Sequence, residues 1–220
     1  MKRDSALVLF SGGQDSTTCL FWAKQQFRQT AALAFDYRQK HRSELDAARN
    51  IAAKAEVPLH ILKLDLLPQL ANSALTSNGM VMEKEKPVDR PPNTMVEGRN
   101  MLFMTYAAVF AKPKGIHHLV TGAGESDFSG YPDCRNDFFR SLNQTLNLSM
   151  DFSFTIHTPL MWKNKAETWQ LADELGIFEL IQNETVTCYN GLYGNGCGEC
   201  PACRLRAKGL HMCINQKHHG

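Results

Sequence analysis

Two groups of residues in this chain have the types and spacing to do chemistry. The first is "SGGQDS", Ser11–Ser16, where an apolar run breaks at two glycines before Asp15 and Ser16. Gly12 and Gly13 let the backbone approach a ligand closely. A helix starting there would turn its free N–H groups and its dipole toward an anion such as a phosphate. Ser11 and Ser16 add hydroxyls, and Asp15 can orient the loop or hold the Mg2+ that travels with a nucleotide. A tight glycine turn with a Ser/Asp helix cap is the bland alternative. Neither GxxxxGK[ST] nor GxGxxG is present, which sets aside an ordinary P-loop and a dinucleotide fingerprint. The second group is Cys188, Cys197, Cys200 and Cys203 in "CYNGLYGNGCGECPACRLR". Two consecutive CxxC spacings plus one distant thiol suit tetrahedral Zn2+, and a site filled entirely by protein ligands makes the ion structural. The same four ligands can hold a [4Fe–4S] cluster, which would bring a redox or thiolation role.

The elements that must position these groups follow from hydrophobic periodicity. Ala6–Phe10, Ala31–Tyr37, His60–Leu64 and His117–Ala123 read as buried strands. Between them, Thr17–Phe27, Arg42–Ala55 and Asn100–Lys112 carry apolar residues at helical spacing. Alternation of this kind predicts an α/β protein with a doubly wound, mainly parallel sheet, Rossmann-like in plan. Ser11–Ser16 then falls between the first strand and the first helix, where open α/β sheets bind ligands. Asn72–Glu97, charged and Pro-rich, reads as a long surface loop that orders over a ligand. The composition shifts near Thr187, so a small four-cysteine module over 187–220 is expected to pack on a phosphate-binding α/β domain over 1–186.

A second polar loop, "VTGAGESDFSGYPDCR", follows the fourth strand and gathers Glu125, Asp127, Tyr131, Asp133 and Arg135. There acids could read the donor edge of a heterocycle, Tyr131 stack or hydrogen-bond, and Arg135 pair with a carboxylate. A solvated turn with Asp caps accounts for any one of them singly. Gln39 and His41 are either capping residues or ligand contacts, and Arg99, at a helix start, suits an anion. Of Lys163 and Lys165, either one reaches a phosphate or both decorate a solvated helix start. That helix is amphipathic, with Trp169, Leu171 and Leu175 on its apolar side.

Composition limits the partners. With 220 residues, 43% hydrophobic content and a net charge of +2, the chain suggests a globular protein with no general nucleic-acid or membrane surface. The start "MKRDSALVLF" has too short an apolar run for a signal peptide, and nowhere do about 18 apolar residues run together. A cytoplasmic location is expected, and seven cysteines there read as thiols or metal ligands rather than disulfides.

"SGGQDS" after a first strand resembles the pyrophosphate loop of the adenine-nucleotide α-hydrolases, the PP-loop superfamily. Taken with Tyr37–His41, Gly98–Asn100, Asp127–Arg135, Lys165–Glu167 and the four cysteines, the chain closely resembles the 7-cyano-7-deazaguanine synthase family from about Phe10 to Leu210. The resemblance implies an enzyme that converts 7-carboxy-7-deazaguanine and ammonia to the nitrile with ATP, toward queuosine. It places ATP contacts on Phe10, Ser11, Gly12, Gly13, Gln14, Asp15, Ser16, Thr17, Thr18, Cys19 and Leu20, and Zn2+ on Cys188, Cys197, Cys200 and Cys203. Substrate contacts are implied for Arg99, Asp127, Tyr131, Asp133 and Arg135, with Asp15, Lys165 and Arg135 taking catalytic roles beside Mg2+. It also implies a homodimer with no membrane or direct nucleic-acid partner. Arg38 and Glu97 depart from the family pattern, which usually has glycine and proline there. A tRNA-thiolating enzyme of the same superfamily and a zinc-bearing nucleic-acid module are the competing readings; the near-neutral charge favours neither.

Overall fold

The computed structural model describes residues 3–37, 42–67, 73, 74, 83, 92–125 and 131–218. Five parallel strands, β1 (Arg3–Leu9), β2 (Phe27–Asp36), β3 (Leu59–Lys63), β4 (His118–Val120) and β5 (Thr155–His157), form one sheet in the order β3-β2-β1-β4-β5. Among the described residues, seven α-helices connect and follow them: α1 (Gln14–Gln26), α2 (Ser43–Lys54), α3 (Arg99–Ala111), α4 (Asn136–Met150), α5 (Lys165–Glu174), α6 (Phe178–Glu184) and α7 (Pro201–His218).

Strand alternation explains the two-sided core. On β1, Ala6 and Val8 join the face covered by α1 and α2, where Leu20, Ala23, Ala48 and Ile51 are buried. Leu7 points the other way, with Leu33 and Phe35 of β2, toward Met104 and Ala108 of α3 and Phe139 and Leu142 of α4. A sheet buried on both faces needs apolar residues at successive positions, which is why these strands read as continuous apolar runs. Successive strands move outward from β1 to β3, and the chain then returns to place β4 on the other side of β1. The strand order therefore reverses between β1 and β4, and the loops leaving their carboxyl ends, after Leu9 and after Val120, open a crevice there.

Four of the strands and four of the helices, α1, α2, α3 and α5, fall where the sequence places them. The fifth strand escapes it because only three residues pair, at a sheet edge, and their backbone is held by side chains. Asn143 Oδ1 accepts from Ile156 N at 2.7 Å, and Asn147 Oδ1 accepts from Phe154 N at 2.7 Å. The two asparagines lie four residues apart on one face of α4 and cover what would be an open edge.

The C-terminal helix α7 packs along α5. Gly209 makes this possible, since a Cβ there would strike the Cβ and carbonyl carbon of Lys165. Trp169 is fully buried in this seam, and its Nε1 donates to the Arg206 carbonyl at 3.2 Å. Among the described residues, no helix is long and apolar enough to cross a membrane.

Leu33 has no exposed surface at the centre of β2. Leu33→Ala should cost roughly 2–5 kcal/mol, the range for a buried leucine truncated in a close-packed core. Urea unfolding should show the midpoint falling with little change in slope.

Candidate active site

The turn Ser11–Ser16 is built by backbone close to backbone. Gly12 has φ +82°, and a Cβ on it would collide with the Glu44 carbonyl oxygen and the Ala48 nitrogen of α2. Gly122, just past β4, abuts the Asp15 carbonyl and the Ser16 nitrogen, with 3.0–3.1 Å left for a Cβ. These two glycines let α2 and the β4 loop close on the start of α1. Inside the turn, Ser16 Oγ accepts from Ser11 N at 3.2 Å and lies 3.1 Å from Ser11 Oγ. Gln14 N donates to Thr187 Oγ1 at 3.2 Å. Helix α1 begins without a side-chain cap at Gly13. Among the described residues, the N–H groups of Asp15 and Ser16 find no protein acceptor, as the first turn of a helix leaves them. Uncapped donors on the positive end of a helix dipole bind anions.

A cavity of about 530 Å3 opens over this loop, reaching from the β1 and β4 ends to Glu44, Glu83, Arg99, Tyr131 and Tyr189. Lys165, at the first position of α5, is buried yet lines it. A capping box fixes that helix start: the Asn164 side chain accepts from Glu167 N, and Glu167 accepts from Asn164 N. Lys165 Nζ grips both oxygens of Asp15, at 2.9 and 2.8 Å. Of the two lysines, Lys165 is the one at the cavity. Asp15 thus anchors a cation beside the anion-binding donors, and both of its oxygens are engaged before any Mg2+ is considered.

The far wall carries charge in an apolar setting. Arg99 lies among phenols: Tyr37, Tyr131 and Tyr189 all line the cavity with it and act on its charge. Burial works against the Arg99 charge, but Tyr37, Tyr131, Tyr189 and Asp133 raise its pKa above the ordinary arginine value. Tyr131 is fixed by a 2.8 Å bond to Thr94 Oγ1. Phe35 stacks on Phe103 at 4.3 Å and closes the apolar side. Glu44, in the first turn of α2, faces this cavity as well. Burial lifts its carboxyl to about 7, against the pull of Arg99.

Several residues expected at the site lie elsewhere. Thr17, Thr18, Cys19 and Leu20 are buried behind the loop: Thr18 bonds the Gln14 carbonyl and Cys19 the Thr121 carbonyl. They support the loop without reaching the cavity. Gly12 also sits beneath the loop, because its backbone packs on α2. Asp133 is buried, and its Oδ2 accepts from Asn100 N at 2.9 Å, capping α3. Arg135 is exposed at the start of α4, off the cavity wall, and Glu125 accepts from Asn136 N at that same helix start. An acid-rich loop following a strand has helix starts to satisfy, and these acids do so. Asp127, Arg38, Gln39 and His41 lie outside the described residues, as does most of Asn72–Glu97, although Glu83, Pro92 and Thr94 from that stretch line the cavity. The sequence reading missed Glu44 and Tyr189. The signal for Glu44 was a glutamate in the first turn of a helix beginning at the sheet's carboxyl edge.

A family model described as queuosine biosynthesis protein QueC matches residues 5–214. The chain belongs to the QueC family. It is 58% identical over 209 residues to the 7-cyano-7-deazaguanine synthase of Clostridium acetobutylicum, covering 95% of this chain and 94% of that one. It is 56% identical over 218 residues to the enzyme of the same name from Bacteroides fragilis, covering 99% and 100%. Among solved structures, a 4-thiouridine synthetase in complex with RNA and ATP shares the fold, with a TM-score of 0.54 at 18% identity over 97% of this chain and 50% of that one.

The four cysteines converge as the spacing predicts. Their sulfurs all lie within 4.8 Å of one another, and Cys197 and Cys203 Sγ are 3.9 Å apart. A tetrahedron with metal–sulfur bonds of about 2.3 Å has edges of about 3.8 Å, so the site fits zinc-sized tetrahedral coordination. Gly196, at φ +67°, leaves room for Cys203 and Cys188, since a Cβ there would overlap both. Burial raises the Cys200 and Cys203 thiols, while at Cys197 the N–H groups of Cys200 and Glu199 outweigh burial and draw it to about 6. A metal bound there would take the four sulfurs as thiolates and release their protons.

Zinc offered to the purified protein should bind the wild type and not Cys200→Ser, by metal analysis. Chelation should lower the melting temperature of the wild type and leave that of Cys200→Ser unmoved, because closed thiolate sites contribute folding free energy on the order of 10 kcal/mol. Glu44 makes a separate prediction. Its folded pKa lies above that of the unfolded chain, so its contribution is fully present below the ordinary glutamate value and is lost as pH rises to about 7. Glu44→Gln should melt higher than wild type at pH 8, with the difference vanishing near pH 4.5 in melting curves across that range.

Proposed function

We propose that this chain is a 7-cyano-7-deazaguanine synthase, converting 7-carboxy-7-deazaguanine, ammonia and ATP to the nitrile. The observation that carries the reading is one cavity holding an uncapped helix start with a paired lysine at one end and a phenol-ringed arginine at the other. The first suits a triphosphate and the second a carboxylate on an aromatic ring. The match to synthases of that name over nearly the whole chain supports this choice of substrate.

A carboxylate oxygen is a poor leaving group, and so is the oxygen of the amide that follows. In this reading the carboxylate first attacks the α-phosphorus of ATP and pyrophosphate departs. The N–H groups of Asp15 and Ser16, with Lys165 held by Asp15, stabilise the charge growing on that pyrophosphate. Arg99 orients the carboxylate, and Tyr131 and Tyr189 bracket the ring. Ammonia attacks the mixed anhydride, AMP leaves, and Glu44 takes the proton that nitrogen sheds, its raised pKa suiting it to proton transfer near neutral pH. Activation of the amide oxygen in the same way, with loss of a second AMP and the remaining N–H protons, leaves the nitrile. Mg2+ would arrive with the nucleotide and neutralise its phosphates. Zn2+ at the four cysteines would be structural. A cytoplasmic location and a homodimer go with this assignment.

Incubating the purified protein with 7-carboxy-7-deazaguanine, ATP and ammonium should yield the nitrile and AMP by mass spectrometry. Arg99→Met should reduce kcat/KM for the carboxylate roughly 10- to 100-fold, the loss of a charge-assisted hydrogen bond, while ATP affinity stays within about twofold. No nitrile from the wild type, or an equal loss of ATP binding in Arg99→Met, would overturn the reading.

A further inference from the structure

The segment Thr185–Cys188 ties the cysteine site to the phosphate loop. Its two middle residues hold that loop directly: Val186 N donates to the Gly12 carbonyl at 3.1 Å, and Thr187 Oγ1 accepts from Gln14 N at 3.2 Å. The next residue is Cys188, one of the four clustered thiols. From the opposite side, Arg206 lies one helical turn after Cys203 on α7. It is buried, and Nη1 donates to Thr185 Oγ1 at 2.7 Å and to Thr187 Oγ1 at 2.9 Å. Nη2 donates to the Ile181 and Gln182 carbonyls at 2.6 and 3.2 Å. The guanidinium also lies 5.2 Å from the Trp169 ring.

Among the described residues, Arg206 forms no ion pair with a carboxylate. A buried cation held by hydroxyls and carbonyls alone is costly unless something nearby uses its charge. The Asp15 carboxylate does so in part, although burial lowers the Arg206 pKa to about 10. Four thiolates outnumber the charge of a divalent zinc, so a filled cysteine site is anionic and stands next to a loop built to bind another anion. Arg206 sits between them.

We propose that Thr187 and Arg206 are positioning residues that couple metal at the four cysteines to the phosphate loop, so that a filled metal site sets the loop's affinity for pyrophosphate groups. Metal at the cysteines fixes Cys188 against Cys203. That fixes the segment beginning at Thr185 against the start of α7, and Arg206 locks the hydroxyl that holds Gln14 N. Without the metal, the segment loses its anchor at Cys188 and the loop its outer support. The coupling rests on the reading of Ser11–Ser16 as a nucleotide loop.

The test measures binding by calorimetry with ATP and with inorganic pyrophosphate, on zinc-loaded and chelator-treated protein, for wild type, Thr187→Val, Thr187→Ser and Arg206→Lys. Zinc content and melting temperature are measured on each preparation. Zinc-loaded Thr187→Val and Arg206→Lys should keep their metal and bind both probes about tenfold more weakly, since a buried donor loses its acceptor or its alignment. Thr187→Ser should restore wild-type affinity. Chelation should weaken binding to the wild type by about the same factor and add little in Thr187→Val, because the link is already cut. Metal-replete Thr187→Val and Arg206→Lys that bind as tightly as wild type would overturn the coupling, whatever chelation does to folding. Zinc-loaded wild type that binds neither probe would overturn the nucleotide-loop reading and the coupling with it.

Discussion

The site depends on backbone meeting backbone without a side chain between. An anion needs free N–H donors, and the start of α1 supplies them only because it is uncapped and enclosed. Enclosure brings α2 against Gly12 and the β4 loop against Asp15 and Ser16, at distances that leave no room for a Cβ at Gly12 and little at Gly122. The glycine positions thus answer to packing at least as much as to the ligand. The crevice between β1 and β4, set by the reversal of strand order, is where that packing can remain open on one side.

Around this frame, buried charges are arranged in opposition. Lys165 is buried because the capping box sets its helix start and Asp15 meets its charge. Arg99 keeps its charge among phenols, and the same apolar wall lifts Glu44 toward neutrality. Arg206 carries a charge toward the cysteine site and the loop together. In an interior of low dielectric, such pairs gain strength that solvent would otherwise screen, and the ends of the cavity acquire opposite chemical characters. That polarity separates an end suited to phosphates from an end suited to a ring carboxylate, and the nitrile-forming assignment needs both.

The sequence by itself determined the sheet, the glycine turn between its first strand and first helix, and the four-cysteine cluster. Each of these is local: strands and helices announce themselves by period, "SGGQDS" by its two glycines after a strand, and the cysteines by spacing along a few turns of chain. Family membership was legible for the same reason, since the motifs keep their order. Only the tertiary structure decided which polar residues face the cavity. Asp133 and Glu125 looked like readers of a base, but each meets a helix start that lies far away in the sequence or in another element. Thr18 and Cys19 looked like nucleotide contacts and instead bond carbonyls behind the loop. Glu44, Tyr189 and Arg206 carried no motif, because what makes them important is burial and the neighbours that folding brings, and neither burial nor a partner on another element leaves a mark in the order of the chain.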